Sequence, residues 1–170
     1  MLNYDLVTSK ACYRIPRRDD MPLLLRLAAK MASERKEAED PQERMLRTVR
    51  ELSRHPDRGA IFLFEKDQDL VGYCVLVNYW SSAHGGTVIR VEELFLDKGY
   101  RDAGIAEDFL ALIAKVAPPG TRAIRLDSSP KDKLTLKICE RAGFSVGTIR
   151  TMTLPTEQGS AKTDAIKTEA

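Results

Sequence analysis

No run of apolar residues in this 170-residue chain reaches the roughly 18 that a membrane-spanning helix needs. Cysteine is scarce. Cys12, Cys74 and Cys139 stand far apart, which makes neither a disulfide framework nor a metal-ligand pair. Only His55 and His84 could supplement them, too few ligands for a zinc site. Charge of one sign is also missing: 27 basic residues face 25 acidic ones, for a net charge of +2. No stripe of Lys or Arg is interleaved with aromatics, which disfavours nucleic acid as a partner. Residues 1–10 contain no apolar core of the kind a signal peptide carries. Neither a Walker loop nor a dinucleotide-binding fingerprint occurs. These absences lead us to expect a reducing, cytoplasmic setting with no metal, no membrane and no nucleic acid.

What is present is an ordinary globular composition, 43% hydrophobic and 31% charged, enough to bury one core. We expect one domain over residues 1–154. Residues 155–170 show no apolar periodicity and read as a disordered tail. A first strand is expected from Ala11 to Ile15, ended by Pro16. Asp19 or Asp20 then caps a helix with Met21, Leu24, Leu27, Ala28 and Met31 at helical spacing. Pro41 opens a second helix, on which Met45, Leu46, Val49 and Leu52 share a face. Ala60–Phe64, a turn at Lys66–Asp69 and Leu70–Trp80 read as a hairpin, with a further strand from Val88 to Leu96. A helix from about Gly104 to Val116 follows, then a strand at Ala123–Leu126, a helix around Asp132–Arg141 and a last strand from Phe144 to Thr153. This order predicts an α/β fold, a mixed parallel and antiparallel central sheet with flanking helices.

The stretch richest in chemistry is Tyr100-Arg101-Asp102-Ala103-Gly104-Ile105-Ala106, directly after the strand Val91-Glu92-Glu93-Leu94-Phe95-Leu96. A strand, a loop of small residues and a helix start aim several backbone N–H groups at one point, as phosphate-binding sites do. The spacing Arg-x-x-Gly-x-Ala resembles the coenzyme A loop of the GNAT acyltransferase superfamily. A helix ending in Ala142-Gly143-Phe144 resembles a second landmark of that family. The resemblance covers roughly residues 12 to 154.

It implies the GNAT fold, acetyl-CoA as co-substrate, and a small-molecule or protein amine as acceptor, with homodimers common. The amides of Asp102, Ala103, Gly104, Ile105, Ala106 and Glu107 would hold the pyrophosphate. The backbone of Leu94, Phe95 and Leu96 would pair with the pantetheine arm and polarise the thioester carbonyl. Arg101 would add a compensating charge, able to pair with phosphate bidentately. Asp102 sets a carboxylate beside the pyrophosphate, or turns it to solvent, or caps the helix itself.

Glu92 and Glu93 resemble the acidic pair of the spermidine/spermine acetyltransferases. On that likeness Glu92 is the general base and Glu93 an amine-binding acid. Alternation along a strand lets only one of them line a given face unless a bulge intervenes. Cys139 stands where the family places a tyrosine that protonates the departing thiolate; it is either that acid or a small buried hydrophobe. Asp132 corresponds to the family's Asn at the start of the same helix, beside the cofactor, and Thr135 to its small Ala. Tyr79 and Trp80 are either a wall for the acceptor or, in the case of Trp80, a cap on the core at a sheet end. We therefore expect an N-acetyltransferase acting by direct attack in a ternary complex. The acceptor is a polyamine-like cation, a lysine or an N-terminal amine. The rival is an acyl-CoA-binding or interaction module that keeps the fold without turnover.

Overall fold

A computed structural model describes residues 5–37, 40–129 and 132–147. Two short strands, β1 (Leu6–Val7) and β2 (Cys12–Arg14), form a hairpin at one edge of the sheet. The first of them escapes sequence reading because two residues carry no periodicity. Helices α1 (Met21–Arg35) and α2 (Pro41–Arg54) follow, then β3 (Gly59–Lys66), β4 (Asp69–Ser81) and β5 (Gly86–Leu96). Helix α3 (Ile105–Val116), β6 (Thr121–Leu126) and α4 (Lys133–Arg141) complete the described part. The sheet runs β1-β2-β3-β4-β5-β6, antiparallel from β1 to β5 and parallel between β5 and β6. This is the mixed sheet expected from the order of elements. Of the last expected strand, Phe144–Gly147 is not extended into a ladder, and the rest lies outside the described residues, as does the tail.

Both faces of the sheet are covered. Leu24, Leu27, Ala28 and Met31 of α1 pack with Met45 and Leu52 of α2 on Ile61, Leu63, Tyr73, Val75 and Phe95. On the opposite face, Ile105, Phe109 and Ile113 of α3 meet Phe62, Phe64, Cys74, Leu76 and Val91. The 3.6-residue spacing of the helices and the alternation of β4 dictate this division.

Local chemistry sets the boundaries. Asp40 caps α2, accepting from the N–H groups of Gln42 (2.9 Å) and Glu43 (3.3 Å). Asp20 occupies the N-cap position of α1 but does not cap it. Its carboxylate is engaged by Arg14, at 2.6 and 2.9 Å, and by the Arg17 N–H at 2.6 Å. A buried guanidinium outcompetes a helix end for that carboxylate. After α4, Gly143 takes φ +91°, with Gly143 N–H on the Glu140 carbonyl and Phe144 N–H on that of Cys139. That helix-terminating turn needs a left-handed residue, which glycine supplies without strain.

Candidate active site

The site begins with a mismatch between β4 and β5. Val75 pairs with Glu93 and Leu76 with Val91, so Glu92 is an extra residue, a bulge. Ile89 and Val91 face α3, whereas Phe95 faces α1 and α2. The bulge is what lets Glu92 and Glu93 both depart from the α3 face. Strand β6 accompanies β5 only from Thr87 to Val91. Beyond that point the β5 edge away from β4 has no strand partner among the described residues, and the sheet opens at Glu92.

The open edge leads to a 3₁₀ turn, Lys98–Ala103, and Gly104 at φ +73°. The first hydrogen bond of α3 runs from Asp108 N–H to the Gly104 carbonyl at 3.1 Å. The N–H groups of Ile105, Ala106 and Glu107 precede it, and among the described residues no side chain caps them. Asp102 is exposed and is not the cap. The amides therefore stay available to an anionic ligand. The turn between β1 and β2 closes on this end. Thr8 and Tyr13 donate to Asp108 Oδ2 at 2.7 and 2.6 Å, and Lys10 Nζ lies 4.0 Å from where a β-carbon on Gly104 would stand. Lys10 was not singled out from sequence, because nothing in its neighbours reveals that its turn folds over α3.

Arg101 does not face that end. Its Nε donates to the Leu96 carbonyl at 2.9 Å, its Nη2 to Glu34 at 2.6 Å, and it stacks over Phe95 at 5.6 Å. Two of its donors are committed to this strut, where the sequence led us to expect them turned to a phosphate. The Leu96 carbonyl is likewise taken. Asp97 donates its N–H to Val71 of β4 at 2.8 Å, so by alternation the backbone of Phe95 also turns to β4 and is not offered to a ligand as expected, which leaves Leu94 on the open edge. The side chains of Leu94 and Leu96 pack toward α3 and that of Phe95 toward α1. Glu107 sends Oε1 toward Arg141, at 3.4 Å, and buries Oε2 without a hydrogen-bond partner among the described residues.

The two acids differ in their surroundings. Glu93 is half-buried. Its Oε2 accepts from Tyr73 at 2.7 Å, and its Oε1 lies 3.9 Å from Arg44 Nε. Burial, then the charge of Glu93, pushes the Tyr73 hydroxyl well above its ordinary value, so it stays a donor. Glu92 is exposed, 2.9 Å from Arg90 Nε, and Arg90 Nη2 reaches Asp127 at 2.8 Å. Tyr73, Arg44 and Arg90 went unnoticed in the sequence. Only Arg90 had a legible signal, the two-residue strand spacing to Glu92.

On α4, Asp132 accepts from the Thr135 N–H (3.0 Å) and hydroxyl (2.7 Å), so its carboxylate is used in capping. The Cys139 thiol is half-buried and raised above its ordinary value, by burial first and by Asp132 second. Such a thiol stays protonated at neutral pH and is a poor nucleophile. Tyr79 accepts from Arg125 at 3.2 Å, and Trp80 is 71% exposed. Among the described residues no cluster of metal-ligating side chains forms, and no helix is long and apolar enough to cross a membrane.

Residues 24–144 match the sequence profile of the acetyltransferase (GNAT) family. The chain resembles an integron cassette protein, HFX_CASS3, from the mobile metagenome of Cole Harbour Salt Marsh. The two are 25% identical over 84% of this chain and 88% of that one, with a TM-score of 0.72. It resembles AAC(6')-Iy, solved with the bisubstrate analog CoA-S-monomethyl-acetylneamine, at 19% identity over 87% and 99% of the two chains, TM-score 0.69. It also resembles glucosamine-6-phosphate N-acetyltransferase from Arabidopsis thaliana, at 15% identity over 84% and 96%, TM-score 0.61. No curated protein is significantly similar in sequence.

Proposed function

The chain belongs to the acetyltransferase (GNAT) family, and from that premise we propose that it moves an acetyl group from acetyl-CoA to a primary amine by direct attack in a ternary complex. The observation that carries this reading is the run of open β5 edge from the Glu92 bulge to the uncapped start of α3. An extended amide-bearing arm pairs with such an edge, and a pyrophosphate suits free N–H groups at a helix start. Lys10 beside Gly104 supplies the positive charge that Arg101 does not. The acetyl thioester brings the activated acyl group.

The residues of the chain do the rest. The amides of Ile105, Ala106 and Glu107 hold the phosphates, and the β5 backbone at Leu94 orients the thioester carbonyl. Glu92, accessible at the opening, takes the ammonium proton, directly or through one water. The freed nitrogen lone pair forms the C–N bond as the C–S bond breaks, the sulfur leaves with its electron pair, and the proton still in surplus on the nitrogen passes to that thiolate. The protonated Cys139 thiol supports a direct route over an acyl-enzyme, because a nucleophilic cysteine needs an activating base, and its thiol has no hydrogen-bond partner among the described residues. Glu93, held by Tyr73, steadies the bulge.

The acceptor is a small molecule or a protein amine. Neither acid is free of arginine, which weighs against a polycation. A reducing, cytoplasmic setting accompanies the reading, on the three unpaired cysteines. Homodimerisation belongs to it as well. The experiment is to follow thiol release from acetyl-CoA with a panel of primary amines. Amine-dependent release is expected. Tight acetyl-CoA binding with no release for any amine would favour instead an acyl-CoA-binding module, for which the departures at Asp102, Asp132 and Cys139 are the motive.

A further inference from the structure

Arg90 and Arg125 are register partners on neighbouring parallel strands, β5 and β6. Their backbones are about 4.8 Å apart. Like charges side by side on adjacent strands destabilise a sheet. The pair sits where β5 and β6 separate, two residues before the Glu92 bulge. Both side chains lie on the face away from α3. Arg125 reaches Tyr79, and Arg90 reaches Glu92, while the neighbours Ile89 and Val91 point to α3.

Arg90 is poorly satisfied there. Its Nε approaches Glu92 at 2.9 Å but makes no hydrogen bond of good geometry, although the atom is buried. Its Nη2 is shared with Asp127, an exposed residue at the end of β6. A buried donor without a well-placed acceptor costs free energy. A planar guanidinium with donors to spare is suited to a carboxylate or phosphate.

We propose that the acceptor carries an anionic group, a carboxylate or phosphate, within about 7 Å of the amine it presents, and that Arg90 and Arg125 hold that group. This rests on the acetyl-transfer reading above. The anion takes the place of the Glu92 carboxylate beside Arg90. The carboxylate so released accepts the proton of the acceptor's ammonium, and charge balances throughout. A polycation finds no such exchange, since Glu92, Glu93 and Asp127 each already face an arginine.

The test is acetyl transfer, read by thiol release, with three matched sets of amines. β-Alanine and aminoethyl phosphate carry the anion, β-alaninamide and ethanolamine are their neutral analogues, and putrescine and spermidine are the cations. The anionic members should exceed their neutral analogues by about tenfold or more in kcat/KM, and the better of the two identifies the anion. Arg90→Gln and Arg125→Gln, checked for folding by thermal melting, should each raise KM for the anionic amine and erode that preference. Arg90→Lys should restore it in part. Preference for a neutral or cationic amine, no transfer to any anionic amine, or a preference untouched by both substitutions overturns the proposal. Calorimetry on the same preparation separates the two levels. Failure to bind acetyl-CoA sinks the acetyl-transfer reading itself, while binding with the wrong amine preference sinks only the acceptor assignment.

Discussion

At Glu92 a single inserted residue changes what β5 can do. Strict alternation would bury one of two consecutive acids against α3, where Val91 and Leu94 pack. The bulge avoids that and leaves Glu92 solvent-accessible while Glu93 is tied to Tyr73. Their substitutions should therefore separate. Glu92→Gln is expected to lower kcat at neutral pH about a hundredfold with little change in acetyl-CoA affinity, measured by steady-state kinetics and calorimetry. Glu93→Gln should instead lower stability, by about 1 kcal/mol in a urea melt, with the smaller loss of rate. A larger rate loss at Glu93 would mean that the proton acceptor has been assigned one residue too early. The acids themselves are legible from sequence, and alternation requires a bulge for both to leave the α3 face. That the bulge exists was not legible, because it depends on pairing with β4, which has no local signature.

Among the elements, the connection from β5 to α3 is tied down at several points along its short length. Gly104 holds a left-handed φ at the hinge, Arg101 ties the turn to the end of β5 and to α1, and Lys30 of α1 reaches Asp97 at 2.6 Å. The loop is thus positioned from the α1 side of the sheet. Arg101→Ala and Arg101→Lys should both weaken acetyl-CoA, because the strut needs a planar fork and not merely a charge. If lysine restored the wild-type Kd in calorimetry, the residue would be acting as a simple phosphate cation. The strand-loop-helix junction could be read from Arg-x-x-Gly-x-Ala. The direction of the Arg101 side chain could not, since its partners Glu34 and Phe95 come from elsewhere in the chain. Asp132 shows the same limit. Its likeness to the family's Asn places it beside the cofactor, whereas the N–H of Thr135 engages its carboxylate.

Across the whole molecule, the edge hairpin is held by a buried ion cluster. Arg14 bridges Asp20 and Glu65, with its side chain 8% exposed. The Arg14 guanidinium, first among the causes, holds the Asp20 carboxyl below its ordinary value. A carboxyl with a depressed folded-state pKa contributes fully above the unfolded value, near 4, and loses that contribution as pH falls through the folded value. Tm should therefore drop below about pH 4 more steeply in wild type than in Asp20→Asn. At neutral pH that variant should be destabilised by roughly 3 kcal/mol. This cluster also explains why Asp20 does not cap α1, as its spacing suggested. The order of elements and their periodicities were enough to foresee a mixed sheet with flanking helices, because helices and strands each carry their own apolar spacing. Which strand parts from which was not foreseeable, since that follows from β6 ending its pairing at Val91.

The claim on which the rest depends is that the open β5 edge and the start of α3 receive acetyl-CoA. Calorimetric titration of the full chain with acetyl-CoA, with CoA and desulfo-CoA as controls, tests it directly. The account predicts micromolar binding that weakens in Arg101→Ala. Absence of binding to the folded wild-type chain would contradict it, leaving the loop a structural turn and the acyl-transfer reading without a donor.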